Sequence, residues 1–434
     1  VNAMNSLADR FKANIVENNR RLELARERDQ HDPVTKLVNI NAFFSILESQ
    51  LRYRDKDGQN GLLMHSLMKH QGDVQSMAPD VFNHFIKTFA EKLAEFYRRH
   101  DELYTDFRIA RINETDICVL LSECRAMEDI AQVFVEDNPI SDLPEFSDAS
   151  LHCVTAGVYL SPNEASYELL DRVDELLEEV QEQDIVFGFN LQPVPEQHYH
   201  CESLEQWEQD FAKASEHCHL QTVKVFSHNG SVMHYQALLN FDDNGEMRGF
   251  GRLTEAARRF GKVEEIDLLT LTTALNWLAE NTDKRCSVLL YEESIISDKS
   301  LSQLKSALKD HRQVLSRLSL ELREHTAATH PIAFRQFCRM ADKLLVNTGL
   351  KRVGESFSKV ADVHEFGLKY LKIDSTYVYD VVNNRSNQVY LNGLADLAHS
   401  LGMAVIADGV VSQKDEEVLI SMGFDGITRL DSKR

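Results

Sequence analysis

No two cysteines of this chain stand at C-x-x-C spacing, and the seven present (Cys118, Cys124, Cys153, Cys201, Cys218, Cys286, Cys338) are scattered and odd in number. That excludes a zinc ribbon and a disulfide framework and points to a reducing compartment. No apolar run approaches the ~20 residues that cross a bilayer, and no stretch reads as a signal peptide. Basic residues are in deficit, with 47 Lys and Arg against 69 Asp and Glu and a formal net charge of -22. Such a surface repels nucleic acid and acidic lipid, so no nucleic-acid contact is expected and an anionic ligand needs a local basic pocket. What remains is ordinary: 434 residues, 43% of them hydrophobic, enough for two or three domains with real cores. The chain begins at Val1 with a helix in progress, so it is expected to be the soluble part of something longer.

Residues 1–32 read as that helix. Met4, Ala8, Phe11, Ile15, Asn18, Leu22 and Ala25 repeat at spacings of four and three, a heptad seam with one Asn to fix its register. A parallel dimerising helix is expected; an amphipathic helix packed on its own domain has the same pattern. Pro33 ends it, because the residue before proline is pushed out of the helical region. An α+β domain spans 33–190, with helices at Asn41–Arg52, Pro79–Arg99 and Ser166–Glu182 and strands at Leu62–Leu67, Phe107–Asn113, Ile117–Leu121 and His152–Leu160. Pro193 and Pro195 mark a linker at 191–204. The domain at 205–434 opens with a hairpin at Asn229-Gly230 and continues as alternating strands and helices, the pattern of a (β/α) barrel.

The most informative stretch runs from Gly367 to Val410. Two β-rich runs, Tyr370–Ile373 and Ala404–Ile406, flank a helical segment, a parallel pair with a crossover. Asp374 and Asp408 follow them, and polar residues at the C-terminal strand ends of a barrel form its active-site face. The plainer role for either acid is to cap the turn that follows.

Several motifs carry a resemblance. H-D-P-V-T-K-L-V-N at 31–39 resembles the opening of GGDEF domains. Y-Q-A-L-L-N at 235–240, L-S-L-E-L-R-E at 318–324, Y-L-K-I-D at 370–374 and A-D-G-V at 407–410 resemble, in order, the E-A-L-L-R, L-E-I-T-E, K-I-D and A-E-G-V-E strands of EAL domains. The resemblance implies a signalling helix, a GGDEF-like α+β domain with a central antiparallel sheet and an EAL-like (β/α) barrel, and it implies cyclic di-GMP signalling.

The departures are as informative. The nucleotide-binding hairpin of the cyclase family reads Asn113-Glu114-Thr115-Asp116-Ile117 here, without either glycine and with a carboxylate where phosphate would lie. The family's other metal Asp falls near His65 to Leu67, and no Asp occurs between Asp57 and Asp73; the stretch matching its product-inhibition motif begins at Tyr104 and reads Y-T-D-F. In the barrel the family's two divalent ions need several carboxylates. The acid of E-A-L is Gln236, the Asn ligand of the next strand is Leu290, and the Asp-Asp pair is Lys351-Arg352. The phosphate-contacting Arg is Asn240, and the second Glu of the last strand is Val411. Glu321, Lys372, Asp374 and the shortened Asp408 remain. The candidate pocket is therefore Gln236, Asn240, Glu321, Lys351, Arg352, Lys372, Asp374 and Asp408, with no metal and no cofactor. Lys351 and Arg352 are expected either to pair with Glu321, Asp374 or Asp408, or to meet a ligand's phosphates.

Two functional expectations follow from the resemblance. One is a catalytically inactive, dimeric receptor of the LapD-like group on the cytoplasmic side of a bacterial inner membrane, with HAMP and membrane segments upstream of Val1 and cyclic di-GMP as the possible ligand. The other is an adaptor of the CsrD-like kind that binds protein partners and not the nucleotide. Residual phosphodiesterase activity is the third and weakest.

Overall fold

The structure is a computed structural model that describes residues 30–52, 59–69, 78–100, 103–104, 106–124, 126–144, 151–161, 164–181, 187–193, 201, 203–243, 246–354 and 366–429. The heptad seam and most of the linker lie outside the described residues. Two compact units divide between His200 and Cys201.

The first unit is a five-stranded sheet with helices on both faces. Its strands are β1 (Gly61–Lys69), β2 (Asp106–Arg111), β3 (Asp116–Ser122), β4 (Leu151–Tyr159) and β5 (Phe187–Leu191), in the order β2-β3-β1-β4-β5. All pairings are antiparallel except β4 with β5. Side chains alternate across a strand, so Leu63 and Leu67 of β1 join Phe85, Phe89 and Tyr97 of helix Pro79–Arg99. Leu62 and Met64 join Phe43 and Leu47 of helix Ile40–Arg52 on the opposite face. Helix Met127–Asp137 and edge strand β5 were not anticipated. Gly188 and Asn190 disfavour strand in isolation, and only pairing with β4 fixes β5 as one.

The second unit is a barrel. Its strands are β6 (Cys218–Ser227), β7 (Val232–Asp243), β8 (Glu246–Gly249), β9 (Cys286–Leu289), β10 (Leu318–Arg323), β11 (Asn347–Val353), β12 (Tyr370–Ile373), β13 (Ala404–Val410) and β14 (Gly426–Arg429). They pair in the order β6-β14-β13-β12-β11-β10-β9-β7-β8, and β6 also pairs with β7, so all but β8 close into a ring. β6 is antiparallel to both of its neighbours; the others around the ring are parallel. The β6–β7 turn is the expected Asn229-Gly230, with Gly230 at φ 81. The stretch from Leu253 to Asn281, whose apolar periodicity predicts mostly helix, is two helices, Gly251–Arg259 and Val263–Glu280, because Gly261 takes φ 62 between them.

The outward faces of the strands build the main core with the surrounding helices. The inward faces differ. Val225, Tyr370 and Ile406 form a small apolar floor. The Tyr370 ring lies across Gly349, where a Cβ would stand 2.5 Å from it. Above that floor the interior is polar and charged.

Candidate ligand-binding site

Four inward side chains of the barrel form one buried network. Lys372 of β12, fully buried, lies 2.9 Å from Glu321 Oε1 of β10 and donates to Gln236 Oε1 of β7 at 2.9 Å. The hydroxyl of Tyr370 donates to the same Glu321 oxygen at 2.7 Å. Burial by itself raises the Glu321 carboxyl; Lys372, Lys351 and the Tyr370 hydrogen bond outweigh it and hold the group at about 2. A buried ammonium is tolerated only when paired and hydrogen-bonded, and here both conditions hold.

A second pair lies toward the C-terminal strand ends. Lys351 Nζ of β11 is 3.7 Å from Asp408 Oδ2 of β13, and both side chains are buried. Each partner sits at an irregularity in its strand. The β11–β12 register shifts between Leu350 and Val353, with Arg352 at φ 56. The β13–β14 register shifts between Ala407 and Val410, with Gly409 at φ 76. Bulges re-aim side chains at strand ends, and a non-glycine residue at positive φ stores strain of ~1–2 kcal/mol.

Asp374 does not join this network. Its Oδ1 accepts from the Thr376 amide at 2.8 Å and caps the short helix Ser375–Val378. Of the two strand-end acids, one therefore caps a turn and the other faces a lysine. Asn240 donates to Gln221 Oε1 at 2.7 Å across the β6–β7 ribbon. The donor set does not fit a two-metal centre: Glu321 and Asp408 each face a lysine, Asp374 caps a helix, and Leu290 offers no ligand atom. Among the described residues no group of three or more His, Cys, Asp and Glu side chains is arranged to hold a metal.

Several residues near this site were missed by sequence reasoning. His234, one pleat below Gln236 on β7, has its ring 5.5 Å from that of Tyr370, and burial followed by Lys372 pushes its pKa down to about 3. Asp267 of helix Val263–Glu280 accepts from the Tyr291 amide at 2.8 Å and from Ser294 Oγ at 2.6 Å; burial raises it to about 7. It anchors the loop after β9, where Arg258 and Arg323 lie over the Tyr291 ring at 5.2 and 5.3 Å. Along β10 apolar outward and polar inward positions alternate in L-S-L-E-L-R at 318–323, which places Glu321 and Arg323 on the inward face.

In the first unit the β2–β3 hairpin is held by a side chain rather than by glycine. Asn113 Oδ1 accepts from the amides of Thr115 and Asp116, both at 2.8 Å. Asp116 in turn accepts from Ser66 Oγ at 2.6 Å. Glu114 is exposed at the tip and Ile117 is buried in β3. Replacing Asn113 with Ala is expected to cost this unit about 1 kcal/mol in urea unfolding, the usual worth of a local side-chain cap; an unchanged midpoint contradicts that role. In the stretch His65 to Leu67, near which the resemblance places a cyclase's strand Asp, the first residue is His65. It is fully buried, with Nδ1 2.8 Å from Thr155 Oγ1 and Nε2 2.8 Å from the Tyr97 hydroxyl. Burial pushes its pKa down to about 3, so the ring is neutral.

The class follows from these two units together, a GGDEF-type sheet domain followed by an EAL-type barrel. The family model for the EAL domain matches residues 204–428 and that for the diguanylate cyclase GGDEF domain matches 29–184. The chain belongs to the EAL-domain family and carries a GGDEF domain ahead of the barrel. Over nearly its whole length it is similar in fold to the Vibrio cholerae LapD S helix-GGDEF-EAL segment. In the apo form the TM-score is 0.77 at 17% identity, covering 95% of this chain and 98% of that one. In the form bound to c-di-GMP it is 0.53, covering 97% and 99%. Among curated relatives, the cyclic di-GMP phosphodiesterase PdeF of Escherichia coli K12 is 22% identical over 49% of this chain and 29% of its own length. The RNase E specificity factor CsrD of the same organism is 21% identical over 45% of this chain and 31% of its own. The chain thus spans about a third or less of the length of these relatives. No described helix is long and apolar enough to cross a membrane.

Proposed function

We propose that this chain is a GGDEF–EAL signalling protein without cyclase or phosphodiesterase activity, whose barrel acts by binding rather than by hydrolysis. The observation that carries this reading is the buried Lys351–Asp408 pair. A two-metal phosphodiesterase needs convergent carboxylates to hold its ions and activate water. Here a lysine neutralises one surviving acid and a second lysine occupies another. Asn113, Glu114 and His65 argue in the same direction for the first unit. The ligand that fits the reading is cyclic di-GMP, met by Arg352 at the rim, with the response relayed through a dimeric N-terminal helix and, upstream of Val1, a membrane segment. The fold likeness to LapD, one form of which is bound to c-di-GMP, supports this reading.

Overnight incubation with cyclic di-GMP and Mg²⁺ or Mn²⁺ is expected to leave the nucleotide intact by chromatography; accumulation of pGpG defeats the proposal. Calorimetry is expected to give micromolar or tighter binding that weakens at least tenfold in Arg352→Ala, the loss of one charge-assisted phosphate contact. A second reading has its own observation. Both buried lysines face carboxylates, and Asn240 replaces the family's phosphate-binding Arg, so the pocket can be inert and the protein a partner-binding adaptor. Calorimetric silence selects that reading.

A further inference from the structure

The C-terminal end of β11 is held from three elements at once. The strand carries one residue too many for its neighbour. Leu350 pairs with Leu371 and Val353 with Ile373, so three steps along β11 face two along β12. Arg352 absorbs the surplus at φ 56, where an L residue is strained. Such a conformation persists only when the chain on both sides of it is fixed. On the near side Leu350 is fixed by the ladder. On the far side the Asp374 amide donates to the Val353 carbonyl at 3.0 Å. The Gly354 amide donates to Glu324 Oε1, at the start of helix Glu324–Thr329, at 3.2 Å. The hydroxyl of Tyr390, in helix Arg385–Ser400, donates to the Gly354 carbonyl at 2.5 Å. Tyr377 packs so closely on Gly354 that a Cβ there has no room, and its ring lies 5.6 Å from that of Tyr390. Glu324, Gly354, Tyr377 and Tyr390 are all buried, so water does not compete for these bonds.

We infer that Tyr390 is a positioning residue: by holding the Gly354 carbonyl it keeps Arg352 in the left-handed conformation from which its guanidinium meets a ligand's phosphate. The inference rests on the proposed binding of cyclic di-GMP at the barrel mouth. The strain at Arg352 and one buried hydrogen bond are of similar size. Removing the bond therefore shifts the balance between the bulged strand end and a relaxed one. In the relaxed end Arg352 returns to extended backbone, and its side chain leaves the direction that the bulge gives it. A guanidinium fork loses its phosphate contact on such a turn, because that contact depends on direction as well as charge. Tyr390 itself touches no ligand in this account. It acts from helix Arg385–Ser400 through two residues of backbone.

The test is a cycle of Tyr390→Phe and Arg352→Ala on the full chain, read by calorimetry with cyclic di-GMP. Tyr390→Phe keeps the ring and its packing on Tyr377 and removes only the hydroxyl. It is expected to weaken binding about fivefold, the worth of one buried hydrogen bond. It is expected to change nothing further when Arg352 is already Ala. A merely structural Tyr390 weakens binding by the same factor in both backgrounds, and that result overturns the inference. So does a Tyr390→Phe or an Arg352→Ala protein that binds as tightly as wild type. Silence of the wild-type chain removes the binding reading itself, and the inference with it.

Discussion

Glu321→Ala is expected to destabilise the barrel by about 3–5 kcal/mol, because it leaves Lys372 buried without a counter-charge. The expectation rests on complete burial of both side chains and on a 2.9 Å contact with no water-exposed alternative for the ammonium. Among the described residues Gln236 alone remains to Lys372, and a neutral amide oxygen does not balance a charge. The double replacement of Glu321 by Leu and Lys372 by Met is expected to return most of that loss, since a buried pair exchanged for apolar side chains of similar volume is often neutral. Urea unfolding of wild type, Glu321→Leu, Lys372→Met and the double replacement gives the coupling directly. A Glu321→Ala barrel within 1 kcal/mol of wild type shows that the pair carries no such weight.

The two units are expected to respond differently to acid. His65 has its pKa lowered by burial to about 3 from 6.5. The unfolded chain takes up this proton below pH 6.5 and the folded chain refuses it, so its contribution is complete above pH 6.5 and is lost as pH falls. At about 1.4 kcal/mol per unit, pH 5 costs the first unit ~2 kcal/mol. Asp174, raised by burial and by its acidic neighbours, opposes this weakly because it is solvent-screened. In the barrel His234 has the same sign and the same value of about 3. Asp267 has the opposite sign: raised to about 7, it binds its proton more tightly folded than unfolded, which favours the fold as pH falls from 7. Between pH 6.5 and 5 these two offset one another. Calorimetry is therefore expected to show the transition of the first unit falling markedly from pH 7 to 5 while that of the barrel holds. His65→Gln, which hydrogen-bonds without titrating, is expected to flatten the first response. Parallel acid shifts of the two transitions, or a His65→Gln protein that keeps the wild-type slope, contradict the assignment.

Much of the architecture was legible from local pattern. Helix Pro79–Arg99 and strand Tyr370–Ile373 have the bounds that periodicity and flanking residues predict, and Asn229-Gly230 turns the hairpin it predicts. Strands β6 and β7 extend past the apolar runs Val223–Phe226 and Met233–Leu239 that predict them, because they pair with each other all the way from Cys218 with Phe241 to Phe226 with Val232. β14 and β5 were invisible, being short strands defined by their neighbours. The break at Gly261 was readable in principle, since a glycine inside a helical pattern costs about 1 kcal/mol, but periodicity ran through it.

The sequence by itself determined which charges this barrel has to place: two lysines, an arginine and three acids on inward strand ends, with the motifs that put them there. Only the tertiary structure decided who faces whom. Lys372 takes Glu321 and Gln236, Lys351 takes Asp408, and Asp374 turns away to cap a helix. Closure of the ring brings strands more than a hundred residues apart within a hydrogen bond, and burial then makes each pairing obligatory. Neither distance nor desolvation is written in the order of the residues.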